Sequence, residues 1–430
     1  MLFRMKRYKL SIITFLNAFS ILTKEGNIYC YKQDIALNEI VWYKIPEKHF
    51  QFVINNIYYF PTVVAIKLLN GKYFIGSNSN NKVFLSLSLK SLNKENKKLG
   101  WVVFKNGIEN IVVNKLNPNI LGYSLNSESK AIYEYLERAC SFFVDQNKEV
   151  INTKLFNENL KKLTYEELGF SWDNNTNIHP VKNWVKAKSI FQKKAYLVPY
   201  NCVYYGNTIK NDNYSFGSSN GTALGISFMD AYKRALYEFV ERDILISAWM
   251  NKGVSLLKVK SNFLKLSPVI RSKINIYIYD KKVDNQYIIW CFLKNLNKNY
   301  YSTSGFAVHK NLKIGVEHAI EEGYGAFLNK HDKKNNKLDM IEEYYSDRKN
   351  SKKIGELYKK SGNIDLNEIS MLPNISTQSL YSDIIYKDIT ISEILDLGFH
   401  CVKVFGLGGN SMYFNYDLVD SSFPKYLPIA

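Results

Sequence analysis

Two short stretches repeat one chemical idea. "YEYLER" ends at Arg138, and "ALYEFVERD" runs from Ala235 to Asp243. Each sets two glutamates three apart with an arginine directly behind the second: Glu134, Glu137 and Arg138, then Glu238, Glu241 and Arg242. On a helix, positions i, i+3 and i+4 share a face, so each trio lines up. Paired carboxylates repel, and burying them is costly without compensation. A divalent cation is one compensation. Magnesium takes oxygen ligands, often one or two carboxylates plus phosphate oxygens. The arginine can fork onto a carboxylate or a phosphate.

The plainer reading is a solvated helix face, because Glu134–Arg138 and Glu238–Arg242 are also i,i+4 ion pairs. Three features weigh against it. The pattern occurs twice. Arginine is scarce: Arg4, Arg7, Arg138, Arg234, Arg242, Arg271 and Arg348 are the only ones among 57 basic residues, yet both trios carry one. Finally, "SSNGTALG" (218–225) stands just before the second trio's helix. Its glycines let main-chain amides approach a ligand, and a helix start attracts phosphate. Taken alone, that loop reads equally well as a flexible turn.

A third segment, "VEHAIEEGYG", offers Glu317, Glu321 and Glu322, as a solvated acidic face or a further ligand group. His318 within it and His309 ahead of it are uncommitted. His49, His179, His331 and His400 form no ligand-spaced set. No nucleophile elbow, Walker loop or dinucleotide fingerprint appears, and "FGLGGN" (405–410) lacks the helix and acidic residue a Rossmann site needs. No residue is singled out as a catalytic acid, base or nucleophile.

These groups need a framework. With 430 residues and 46% hydrophobic content, the chain can bury a substantial core. The net charge of +18 is mostly lysine, spread along a chain also rich in asparagine, isoleucine and tyrosine, as AT-rich coding DNA produces. Such diffuse charge favours solubility over sequence reading, so no nucleic-acid partner is expected. Five widely spaced cysteines without a CxxC suit reduced thiols in a cytoplasmic protein. The basic "MLFRMKRYK" and apolar "LSIITFLNAFSIL" mimic a signal peptide, but no cleavage site follows and the apolar run is too short to span a bilayer. A buried strand or helix is expected there, and no membrane span.

Residues 1–98 read as a β-rich region of short strands, with Asn70-Gly71 turning "VVAIKLLNGKYFIGS". The lysine-rich 92–100 marks a boundary, and 99–430 form a second domain. Asn106-Gly107 turns another strand pair. Helices are expected over 127–144, capped by Ser127 or Ser129, over 228–252, over 313–330 and at "ISEILDLG". Strands are expected within 181–205, at 273–280, 287–295 and 300–309, and at "HCVKVFGLGG". Residues 214–227 read as a loop and 331–370 as a polar surface insertion. The irregular alternation predicts an α+β fold of mixed, largely antiparallel sheets with packed helices.

At "SSNGTALGISFMDAYKRALYEFVERD" the sequence resembles the YcaO family. Ser219, Asn220, Gly221, Ala223, Gly225, Glu238, Glu241, Arg242 and Asp243 match the family's pattern. "EYLERACS" looks like its first glutamate motif. "NWVKAKSIFQKKAYLVPYNCVYY", "YDKKVDNQYIIWCFL" and "GVEHAIEEGYG" follow in the family's order, so the resemblance spans roughly residues 100–410. It implies a YcaO-like fold and an enzyme using ATP and Mg²⁺ to activate backbone amides of a ribosomally made precursor peptide. In the azoline-forming branch, a Cys, Ser or Thr side chain adds to the preceding carbonyl. ATP phosphorylates the resulting oxygen, and phosphate then leaves. Other branches make thioamides or amidines. By this resemblance Glu134, Glu137, Glu238 and Glu241 hold Mg²⁺, while Glu134, Arg138, Ser219, Asn220, Glu238, Arg242 and Glu322 serve the nucleotide.

The sequence also departs from the family. Gly122-Tyr123-Ser124 stands where a Gly-Lys-Gly is usual. Lys130 replaces a serine, Gly325 a glutamine, and Lys403 with "FGL" occupies the region of an arginine and a Pro-Gly-Leu. "FPKYLPIA" only partly resembles a proline-rich tail. Azoline formation is the expected activity, with thioamide or amidine formation, or a non-catalytic scaffold in a peptide-modifying complex, as alternatives. A leader-peptide-binding protein is an expected partner and a homodimer a possible state.

Overall fold

The structure is a computed structural model. It describes the backbone of strands between residues 20 and 77 and, apart from a few side chains, residues 98–125, 127–144, 150–152, 160–170, 181–205, 217–250, 253–260, 272–294, 301–329, 362–396 and 398–412. The N-terminal apolar run up to residue 19, residues 331–361 of the insertion expected over 331–370 and the tail beyond residue 412 lie outside the described residues. The fold is α+β with antiparallel-rich sheets, as the sequence predicts. Among the described residues no helix is long and apolar enough to cross a membrane. The chain divides into two compact units, Met1–Cys140 with Leu224–Asp230 and Ile389–Cys401, and Ser141–Ala223 with Ala231–Asp388 and Val402–Ala430.

In the first unit, seven antiparallel strands form a sheet in the order Glu39–Ile45, Asn27–Asp34, Ser20–Lys24, Tyr73–Ser77, Val63–Lys67, Ile57–Tyr59 and Phe52–Ile54. Val63–Lys67 and Tyr73–Ser77 are the hairpin predicted around Asn70-Gly71. A second sheet runs Trp101–Asn106, Glu109–Asn114 and Leu121–Leu125. Gly107 opens its first two-residue turn at φ +57, which suits glycine at the first position of a tight hairpin loop. Helix α1 (Glu128–Phe142) follows, with the Ser127 hydroxyl accepting from Lys130 N at 3.2 Å as its cap. Ala131, Tyr135 and Ala139, with Ile132, Leu136 and Cys140, are buried at four-residue spacing. The Tyr135 ring lies 5.6 Å from that of Trp101, and its hydroxyl accepts from Asn114 Nδ2 at 2.7 Å and donates to Leu99 O at 3.0 Å.

The second unit holds a sheet ordered Lys161–Lys162, Ala195–Pro199, Asn183–Ser189, Asp383–Asp388, His400–Leu407 and Thr222–Gly225, with Ile151–Asn152 beside Asn183–Ser189. Part of the loop expected over 214–227 is therefore a strand. Another sheet is ordered Tyr301–His309, Tyr287–Lys294, Ile274–Tyr279, Leu256–Val259 and Asn363–Ile364. Helix α2 (Phe228–Trp249) carries the second trio and buries Ala231, Ala235, Phe239, Val240 and Ile244. Helix α3 (Leu312–Asn329) packs on Tyr301–His309 and Tyr287–Lys294 through Val316 and Ala319. The helix expected at "ISEILDLG" is only one turn, Ser392–Leu395.

Candidate functional site

In the first unit, α1 presents Glu134, Glu137 and Arg138. Arg138 Nη2 pairs with Glu134 Oε1, and Nη1 donates to Leu121 O at 3.1 Å. The other Glu134 oxygen accepts from Tyr123 N at 2.7 Å. That contact depends on Gly122, where a Cβ would lie 1.9 Å from Ala131 O. Glu137 Oε2 accepts from Leu224 N at 3.3 Å. Burial and the neighbouring Glu134 push its carboxyl up to about 8, against the pull of Arg138 and the Leu224 amide.

In the second unit, Glu241 on α2 is 6% exposed. Burial raises its carboxyl to about 8; Arg242 pulls it back, while Glu322 and Glu238 add to the rise. Arg242 Nη1 lies 3.3 Å from Glu241 Oε1, and Nη2 donates to Glu322 Oε1 at 3.1 Å. Its guanidinium stacks over the Phe306 ring at 4.2 Å. Burial opposes the Arg242 charge, yet Glu241, Glu322 and Glu238 hold it more firmly protonated than usual. Nη1 is buried and, apart from its ion pair with Glu241, makes no hydrogen bond. Glu238 is half-buried on the same helix, whereas Glu317 and Glu321 on α3 are exposed.

One local geometry occurs in both units. Three consecutive antiparallel strands end in an edge strand, and a helix packs back on it. In the second copy a Cβ on Gly305 would lie 2.0 Å from Ala319 O, and the next amide, Phe306 N, donates to Glu322 Oε2 at 2.7 Å. Glu322 thus stands three residues past Ala319, as Glu134 stands three past Ala131. An edge strand leaves outward N–H groups unpaired by the sheet, and here a helix carboxylate takes one.

The turn before Thr222–Gly225 carries Ser219 and Asn220. Ser219 O accepts from Thr222 N at 2.8 Å. Asn220 is 4% exposed, and its Oδ1 is buried with no hydrogen-bond partner. Sequence reasoning passed over Phe306 and Asn410, and it named Asp243 as a motif match and Lys403 as a departure without giving either a role. The buried Asp243 carboxylate accepts from Asn410 N at 2.7 Å, Asn410 Nδ2 at 2.8 Å and Tyr381 Oη at 3.0 Å. The available signal was a charge inside a motif or an apolar strand, as in "HCVKVFGL". Of the departures, the Tyr123 hydroxyl donates to Glu109 at 3.0 Å and Lys130 lies exposed on α1.

Among the described residues no three or more His, Cys, Asp or Glu side chains form a ready metal cluster. Each trio supplies two carboxylates, one of them pushed towards neutrality by burial. That all-oxygen donor set suits magnesium, which completes its shell with phosphate and water.

A family model described as "YcaO cyclodehydratase", binding ATP and Mg²⁺, matches residues 124–406. The chain belongs to the YcaO family, whose cofactors are ATP and Mg²⁺. Among solved structures it is similar to YcaO from Methanopyrus kandleri bound with AMPPCP and Mg²⁺, with a TM-score of 0.52 and 15% identity over 76% of this chain and 90% of that one. It is also similar to a heterocyclase in complex with substrate and cofactor, with a TM-score of 0.53 and 15% identity over 72% of this chain and 49% of that one. At such identities the likeness is one of fold. No curated protein matches the sequence.

Proposed function

We propose that this chain uses ATP and Mg²⁺ to activate backbone amides of a ribosomally made precursor peptide, forming azolines from Cys, Ser or Thr. Membership of the YcaO family supports ATP-dependent cyclodehydration. The observation that carries the site is the buried Glu241 ion-paired with Arg242, whose Nη1 lies 3.3 Å away yet makes no hydrogen bond, so that a bound cation and anion could each take one member of the pair. Glu134, Glu137, Glu238 and Glu241 would hold Mg²⁺, which would neutralise the triphosphate. Arg138 and Arg242 orient carboxylates or phosphates, Glu322 holds Arg242, and Ser219 and Asn220 line the nucleotide. Phosphoryl transfer asks mainly for such positioning and charge neutralisation. The peptide's hydroxyl or thiol adds to the preceding carbonyl, the resulting oxygen takes the γ-phosphoryl group to release ADP, and loss of phosphate with the amide proton leaves the ring. A leader-binding protein delivers the peptide in the cytoplasm. Thioamide or amidine formation would use the same residues with an external nucleophile.

A second reading, a non-catalytic scaffold, draws support from Tyr123, whose hydroxyl is engaged by Glu109 where the family usually places a lysine. Calorimetric titration of ATP with and without Mg²⁺, on wild type and on Glu238→Ala/Glu241→Ala, tests the enzyme reading. Magnesium-dependent binding that vanishes in the double variant supports it. Folded wild type that neither binds ATP nor turns it over, even with partner and peptide present, leaves the scaffold.

A further inference from the structure

The turn Ser218–Gly221 hangs on residues almost two hundred positions later. Lys403 is 2% exposed, flanked by the buried apolar Cys401, Val402, Val404 and Phe405 of its strand. Its ammonium donates to Ser218 O at 2.8 Å and to Asn220 O. Val404 N donates to Gly221 O at 2.8 Å, and Ser218 Oγ donates to Met412 O at 2.8 Å. Gly221 has φ +69, and a Cβ there would meet Val404 O at 2.6 Å, so the turn lies this close only with glycine. Two of the three N–H groups of the buried Lys403 ammonium are thus engaged by main-chain carbonyls of the turn.

We propose that Lys403 is a positioning residue for the nucleotide. Its ammonium fixes the main chain on either side of Ser219 and so holds the buried, unpartnered Asn220 oxygen ready for a donor on the bound nucleotide or its hydrated metal. This rests on the reading of the turn as nucleotide-binding. A neutral side chain at 403 would leave two buried carbonyls unpaired and let the turn shift.

The test is a double-mutant cycle on the full chain, read by Mg²⁺–ATP titration. Lys403→Met and Asn220→Ala should each weaken binding roughly 10–100-fold, as the loss of a supporting partner does. The double variant should bind no more weakly than the worse single variant, because Lys403 acts through Asn220. In steady-state turnover Lys403→Met should raise KM for ATP more than it lowers kcat, and Lys403→Arg, which keeps the charge, should recover part of the loss. Additive losses, or wild-type affinity in Lys403→Met, overturn the assignment. If Lys403→Met does not fold, Ser218→Ala takes its place, loosening the same turn from Met412. It too should weaken ATP and add nothing to Asn220→Ala, and wild-type affinity or additivity sinks the proposal. Wild type that binds no ATP under any condition removes the functional reading and this one together. Wild type that binds, with Lys403→Met unaffected, removes this one alone.

Discussion

Glu134 and Glu322 hold the same position in two copies of one local arrangement. Each accepts an amide one residue past a strand glycine, at 2.7 Å, and each pairs its other oxygen with an arginine. The sequence pairs Glu134 with Glu238 instead, because "E-x-x-E-R" is visible in letters and the strand–helix contact is not. In the first copy the arginine comes from the same helix; in the second it comes from α2. Three residues on, Glu137 has Gly325 as its counterpart, so the second copy depends on α2 for its further carboxylate.

Gly122→Ala and Gly305→Ala should be similarly damaging. Both would drive a Cβ to about 2 Å from a helix carbonyl, at 1.9 and 2.0 Å respectively. The expected cost is about 3 kcal/mol or more each, since backbone must move. Gly107→Ala, with open space around it but φ +57, should cost only about 1 kcal/mol. Thermal unfolding of the three variants ranks them. Equal losses would show that main-chain contact is not what selects glycine.

Glu322→Ala should cost about 1–3 kcal/mol, the usual worth of hydrogen bonds to a charged group. Glu322→Gln should cost less, because an amide oxygen can still accept from Phe306 N. Urea midpoints separate the two. If they coincide, the Phe306 contact carries no weight.

Folding should weaken as pH rises in the absence of magnesium. Glu137 and Glu241 are raised from 4.5 to about 8 by burial. Between those values the folded chain keeps protons that the unfolded chain has lost, so stability falls as pH climbs. The midpoint temperature should drop between about pH 6 and about pH 8.5, and Glu241→Gln should flatten the trend. Excess Mg²⁺ with ATP should also flatten it. A midpoint that rises across this range would contradict the burial of these carboxyls.

Asp243→Ala should be among the costlier changes, about 2–4 kcal/mol, because it strips partners from Asn410 and Tyr381. Combined with Asn410→Ala, the losses should fall short of their sum. Full additivity in chemical denaturation would mean that the two do not act as one network.

Local rules carried the sequence a long way. Asn106-Gly107 marked its hairpin, Ser127 capped α1, and four-residue spacing picked out Ile132, Leu136 and Cys140 as core. Thr222–Gly225 escaped as a strand because four residues flanked by glycines show no period. Lys403 escaped because its carbonyl partners lie 185 and 183 positions away. Asp243 matched a motif, yet its partners at Tyr381 and Asn410 are 138 and 167 positions distant. Spacing along a helix reveals which residues share a face, and contacts of that length leave no such trace.

The latch between Ser218–Gly221 and Lys403–Met412 sets an order of events during synthesis. The ribosome emits both glutamate–arginine helices long before Lys403, and contacts of such separation form slowly. A nascent chain halted after α3 therefore carries both trios while its Asn220 turn lacks the strand that fixes it. The growing polypeptide gains a completed turn only near the end of translation.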